Sequence, residues 1–323
     1  MPESAQQTEN QTNNQASVLT WLRLLRLPTV FTALSNILCG FFVSTSERNL
    51  TELVTRPELW LLLLSSAGLY LGGMVLNDVF DAALDSKERP ERPIPSGKIS
   101  RRSAAIVGAL LMACGLISAF GAGVLAKSGH TAFQIACVLA IAVVLYDAVL
   151  KSTILGPVGM ASCRFLNLML GASCAGAANI VWSGPQLDIA VALFVYITGV
   201  TWFARYEAGQ SSKAGLTAGC LVALSGIGIH IWSASNVAAP QSPGTGATIA
   251  LALIAANIAW RCKNAIAAGQ PVMLQKTVGF MLLNLIFLDA AMTFCMTGSG
   301  QLASLVVILV IPATLMKRYI PLS

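Results

Sequence analysis

Apolar runs of membrane-crossing length recur along the whole chain. They fall at about 28–45, 58–79, 103–126, 131–149, 157–181, 187–206, 214–235, 246–264, 276–296 and 300–316, each near the roughly 20 residues a helix needs to cross a hydrocarbon core. The pattern predicts an all-α, polytopic membrane bundle of about ten spans. Between the spans the connections are short, and a separate soluble domain has no room. Residues 1–20 break the pattern with Gln6-Gln7-Thr8-Glu9-Asn10-Gln11-Thr12-Asn13-Asn14-Gln15. A segment so poor in apolar side chains is expected to be disordered, and it has neither the basic start nor the short apolar run of a cleaved signal peptide.

Composition sharpens this picture. The 323 residues are 55% hydrophobic and 11% charged, which excludes an ordinary soluble domain. The net charge of +6 follows topology, so no nucleic-acid partner is expected. With the N-terminus inside, only Arg48, Arg56 and Lys127 fall on the outer face, and Arg164 falls in the fifth span. The other Lys and Arg residues are cytoplasmic, as the positive-inside rule requires. Both termini are then cytoplasmic, in what is expected to be the inner membrane. His130 and His230 fall near the outer face, where surface positions are expected. The eight cysteines lie mostly in apolar runs without a Cys-x-x-Cys pair, which indicates neither a disulfide framework nor a zinc site.

The chemistry gathers at the cytoplasmic ends. Asn77-Asp78-Val79-Phe80-Asp81-Ala82-Ala83-Leu84-Asp85 closes the second span. On a helix, Asp78, Asp81 and Asp85 are i, i+3 and i+7 and project from one face. They would repel one another and oppose the negative end of the helix dipole unless a cation joins them. A hard divalent ion that shares its shell with substrate phosphate suits them, with Asn77 as a neutral oxygen donor. After them comes Arg89-Pro90-Glu91-Arg92-Pro93-Ile94-Pro95-Ser96-Gly97, whose prolines predict an extended path and whose arginines suit phosphate. Tyr146-Asp147-Ala148-Val149-Leu150-Lys151 closes the fourth span, and Arg205-Tyr206-Glu207-Ala208-Gly209-Gln210-Ser211 the sixth. Within the spans, Asn36, Arg164, Asn167, Asn284 and Asp289 are expensive in lipid and should face the interior. A guanidinium such as that of Arg164 needs an anion.

Asn-Asp-x-x-Asp-x-x-x-Asp, then Arg-Pro-x-x-Ser-Gly, then Tyr-x-x-x-x-Lys two spans later resembles the UbiA superfamily of intramembrane prenyltransferases. Trp21-Leu22-Arg23-Leu24-Leu25-Arg26-Leu27-Pro28 also resembles that family's entry to its first helix, and the likeness covers about residues 20–296. It implies a nine-helix core around a central cavity open to the cytoplasm, spanning 21–296, with 297–323 as an extra C-terminal transmembrane helix. It also implies transfer of a prenyl group from an isoprenoid diphosphate to a lipophilic acceptor with Mg²⁺. By position, Asn77, Asp78, Asp81 and Asp85 would hold Mg²⁺ on the diphosphate, with Arg92, Tyr146 and Lys151 beside it. Arg164, Asn167 and Arg205 are further candidates for the diphosphate, and Asn36 for the acceptor or cavity.

The chain departs from the family at its second acidic motif, usually Asp-x-x-Gly-Asp. Tyr206 and Gln210 stand at the aspartate positions and Glu207 is the acid that remains, so Glu207 becomes the second-motif metal candidate and, with Gln210, an acceptor or cavity candidate. With Arg164-Phe165-Leu166-Asn167, this is similar to the divergent branch found in Ebo-type gene clusters. The eroded motif leaves an alternative, a scaffold that binds or carries an isoprenoid without turnover. Ion-coupled transport fits less well, because the charges cluster at one face and not at mid-bilayer.

Overall fold

A computed structural model describes residues 18–45, 53, 55–175, 178–205, 212–236 and 244–319. Among them all regular structure is helical: α1 (Phe31–Ser44), α2 (Pro57–Glu88), α3 (Arg101–Leu125), α4 (Thr131–Ala148), α5 (Gly156–Ala172), α6 (Pro185–Ala204), α7 (Lys213–Asn236), α8 (Gly244–Ala268), α9 (Pro271–Thr297), α10 (Gly300–Val307) and α11 (Val310–Tyr319). Nine of the described helical stretches are long and apolar enough to cross a membrane, counting α10 with α11. Consecutive helices from α2 to α9 pack in sequence, and α1 sits against α2, α5 and α9. Buried residues make up most of α1, including Thr32, Ser35 and Asn36, so its polar groups must find partners on neighbouring helices.

Three features differ from the pattern of apolar runs. Helix α2 does not stop where its apolar run ends. It continues unbroken for 32 residues, about 48 Å at a rise of 1.5 Å per residue, which exceeds the hydrocarbon core and carries the aspartates on a helical extension. The expected fifth span ends early, at Ala172, followed by a turn and a single helical turn at Ala178–Val181. At that end Ser173 donates to the Leu170 carbonyl at 2.6 Å. The segment 89–100 folds back in turns instead of running extended. Ser96 N–H donates to Arg92 O at 2.9 Å and Ile99 N–H to Pro93 O at 3.0 Å, with Gly97 at φ +74°. A fourth difference is smaller: His230 is buried, at 2% exposure, and not at the surface.

Small residues let the helices approach closely. At the α1–α5 crossing, a Cβ added to Gly171 would overlap the Ile37 carbonyl, and one on Gly40 the Leu168 carbonyl. Backbone approach of this kind is how membrane helices gain contact without a hydrophobic driving force. The fold-back loop is pinned differently. Arg92 is 5% exposed, and its Nη1 donates to Asp85 Oδ2 at 2.7 Å.

Gly171→Val is expected to destabilise the bundle by about 1–3 kcal/mol or more through overpacking against backbone, read as a lower melting midpoint in detergent. Arg92→Met strands a buried carboxylate and is expected to cost about 3–5 kcal/mol. The double variant with Asp85→Asn should recover much of that loss in the same melt. A double variant as unstable as Arg92→Met alone would mean that the pair does not hold the loop.

Candidate functional site

The C-terminal extension of α2 presents Asp78, Asp81 and Asp85 on one side, and three basic side chains from three other segments meet them. Arg26 Nη2 donates to Asp78 Oδ1 at 2.8 Å. Arg92 Nη1 bonds Asp85 and lies 3.8 Å from Asp78 Oδ1. Lys151 Nζ donates to Asn77 Oδ1 at 2.8 Å and pairs with Asp81 Oδ1 at 2.6 Å. Each position has a local cause. Arg26 sits in a left-handed backbone conformation, φ 47°, just before the 3-10 turn Leu27–Thr29 that Pro28 starts. A non-glycine residue there persists only when its surroundings hold it, and the ion pair with Asp78 is such a hold. Lys151 lies in a second 3-10 turn, Leu150–Ser152, directly after α4.

Further along α2 lies a small cavity of about 50 Å³. Apolar walls come from Leu69, Met74, Leu139, Val143 and Met160, with Tyr146 and Asp147 on α4 and Arg164 and Asn167 on α5. Tyr146 also borders a surface pocket with Lys151 and Arg205, so that pocket and the cavity share one wall. At the inner end, Arg164 lies over the Tyr70 ring at 5.2 Å and donates to Thr32 Oγ1 at 3.0 Å and Asn36 Oδ1 at 3.4 Å. Asn36 Nδ2 in turn donates to Asp289 Oδ2 at 2.8 Å, which also accepts from Ser35 at 2.6 Å. Asn167 is fixed by Ser66 at 2.7 Å and by the Ala33 carbonyl at 2.8 Å.

The structure thus brings Asn77, Asp78, Asp81, Lys151 and Arg92 together, with Tyr146 and Arg205 alongside. It separates others from them. Tyr70 precedes Asp78 by eight residues on α2, about 12 Å along the axis, and Arg164 lies over Tyr70. Arg164 and Asn167 therefore line the inner cavity and do not join the diphosphate candidates at its mouth. Asn36 is 0% exposed and stands behind Arg164 as its support. Asp85 is taken up by Arg92, whose guanidinium stands between Asp78 and Asp85 where a bridging metal ion was expected. No three His, Cys, Asp or Glu side chains among the described residues stand close enough to hold a metal ion. The oxygen donors of Asn77, Asp78 and Asp81 still fit Mg²⁺, which takes one or two carboxylates and completes its shell with substrate phosphate and water. Glu207 and Gln210 lie outside the described residues.

Two site residues escape a reading of motifs. Arg26 looks like one more positive-inside charge, and only the ion pair across to α2 reveals its place. Asp147 sits inside the Tyr-x-x-x-x-Lys stretch, but an ionisable residue in a span was itself a signal.

The UbiA prenyltransferase family model matches residues 33–265. A curated relative from Metallosphaera sedula, named digeranylgeranylglyceryl phosphate synthase, is 32% identical over 152 residues, covering 47% of this chain and 50% of that protein. The chain thus matches about half the length of such relatives. A solved structure described as giving insight into digeranylgeranylglyceryl phosphate synthase in membranes aligns over 88% of this chain and 99% of its own, at TM-score 0.62 and 18% identity. A UbiA homologue from Archaeoglobus fulgidus, solved with GPP and Mg²⁺, aligns over 91% and 99% at TM-score 0.51 and 17% identity. At these identities the structures speak for the fold. The match over most of the chain, on this helical bundle, makes the protein an integral membrane member of the UbiA prenyltransferase family.

Proposed function

We propose that the protein transfers a prenyl group from an isoprenoid diphosphate to a lipophilic acceptor within the membrane, with Mg²⁺. One observation carries the reading: Lys151 bonds both Asn77 and Asp81 just after the end of α4, whose Tyr146 and Asp147 line an apolar cavity. Acids for a metal, a base for phosphate and an apolar cavity thereby lie side by side. The mouth faces the cytoplasm and both termini lie on that side of the inner membrane, in keeping with the Lys/Arg bias. Residues 21–296 form the catalytic unit and 297–323 an addition to it.

Asn77, Asp78 and Asp81 would hold Mg²⁺, which when bound neutralises the diphosphate and helps it depart. Lys151, Arg26, Arg92 and Arg205 complete the cationic rim. Without substrate, Arg26, Arg92 and Lys151 spend their charge on the three aspartates. An arriving diphosphate offers them a stronger anion, and they turn to it as charge grows on the leaving oxygen. The walls made by Leu69, Met74, Leu139, Val143 and Met160 keep water from the allylic carbon. Arg164, two turns further in, meets a polar or anionic group on the acceptor. The relatives named digeranylgeranylglyceryl phosphate synthase support a long isoprenoid donor.

With geranyl, farnesyl and geranylgeranyl diphosphates, the purified protein is expected to bind and consume at least one in a manner that EDTA abolishes. Asp81→Asn and Lys151→Met should each lower kcat/KM by about 100-fold or more without a change in melting midpoint. Metal-dependent binding with no covalent product from any donor would instead identify a lipid carrier. No metal-dependent binding at all would end the reading.

A further inference from the structure

Among the described acids at this site, Asp147 has neither an ion pair nor a hydrogen bond, although the charge of Lys151 reaches it. It is 3% exposed, and among the described residues its buried Oδ2 has no hydrogen-bond partner. It lies in the last turn of α4, where a negative charge opposes the helix dipole. An unpaired buried carboxylate is expensive, and nothing in the packing of α4 requires it. Its surroundings are selective. Oδ2 faces α2 at Gly73, where a Cβ would come 3.8 Å from it, and both residues line the cavity. Gly73 precedes Asn77 by one helical turn, about 6 Å. Asp147 therefore stands one turn inside the diphosphate-binding rim and about a turn short of Tyr70, over which Arg164 lies. That is where the first carbon of a bound prenyl chain and the attacking atom of an acceptor would meet.

We propose that Asp147 is the catalytic base that takes the acceptor's proton, and that the acceptor bears a hydroxyl group at the reacting position. The inference rests on the prenyltransferase reading. A carboxylate is an acceptor only, so a buried one with a free oxygen calls for a ligand that donates. A hydroxyl donates to Oδ2 before reaction, whereas a carbon nucleophile would leave the carboxylate unpaired. In the step, the bond between C1 and the diphosphate oxygen breaks with its electron pair leaving on the diphosphate. A lone pair of the acceptor oxygen forms the new C1–O bond, and the O–H proton passes to Oδ2. Asp147 then releases that proton to the departing diphosphate, which leaves an ether, diphosphate and the carboxylate restored.

Asp147→Asn keeps the shape of the side chain and removes its basicity. The test uses full-length protein in nanodiscs with Mg²⁺, geranylgeranyl diphosphate labelled with ¹⁸O at its bridging oxygen, and geranylgeranylglyceryl phosphate as the hydroxyl probe. Scrambling of the label without acceptor reports ionisation at C1, and product formation reports transfer. The variant should melt no lower than wild type, bind the diphosphate equally and scramble the label within about threefold, yet transfer about 100-fold or more slowly, the range for general-base catalysis. Transfer near the wild-type rate would overturn the proposal. So would equal loss of scrambling and transfer, which would mark Asp147 as a partner of the cation and not a base. A wild type that ionises the donor but never alkylates the hydroxyl probe would overturn the inference and leave the prenyltransferase reading standing. Absence of binding and scrambling in wild type would remove both.

Discussion

A carboxylate carried into a helix bundle within a membrane must meet a cation, a hydrogen-bond donor or a ligand, because lipid offers it nothing. Three such groups lie on one face of α2, and the surrounding architecture arranges answers to them. Arg26 reaches in from the turn before α1, Arg92 from a loop folded back on itself, and Lys151 from the turn after α4. None of these positions is stable for local reasons alone. Arg26 is in a strained backbone region, and Arg92 is almost wholly buried. The acid face thus organises this end of the helix bundle.

Below that rim the bundle keeps its polar groups at two levels. The inner level joins α1, α5 and α9 through Arg164, Asn36 and Asp289, with Asn167 tied to α2 by Ser66. Glycines at the α1–α5 crossing bring those helices close enough for the short side chains of Thr32 and Asn36 to reach Arg164. A guanidinium at this depth is held by neutral oxygens and an aromatic face instead of a direct carboxylate contact. Such a group retains capacity for an anion or dipole entering from the cavity. Asp147 lies between the two levels and lines the cavity together with Arg164.

Much of this was legible in residue order. The apolar runs mark the helices, the i, i+3, i+7 spacing puts Asp78, Asp81 and Asp85 on one face, and the buried polar residues of the first, fifth and ninth spans do face one another. What misled was local inference about loops and ends. Prolines in 89–100 suggested an extended strand of chain, but a buried Asp85 draws Arg92 inward and the loop coils around that pair. Asp85 shares the helical face of the other acids, and only the folded loop reveals its pairing with Arg92. The apolar run through 157–181 looked continuous, yet α5 stops at Ala172 where a serine hydroxyl captures a backbone carbonyl.

Helical periodicity and the energetic penalty of bare charge in lipid are properties of short windows of chain, so the sequence alone determined the all-helical bundle, its family and the acid face. Which base meets which acid, the depth of Arg164 relative to Asp78, and the place of Asp147 depend on side chains far apart in sequence, up to 254 residues between Ser35 and Asp289. Those were settled only when helices packed at distances set by their glycines, because charge pairing acts over a few ångströms and no spacing along the chain encodes it.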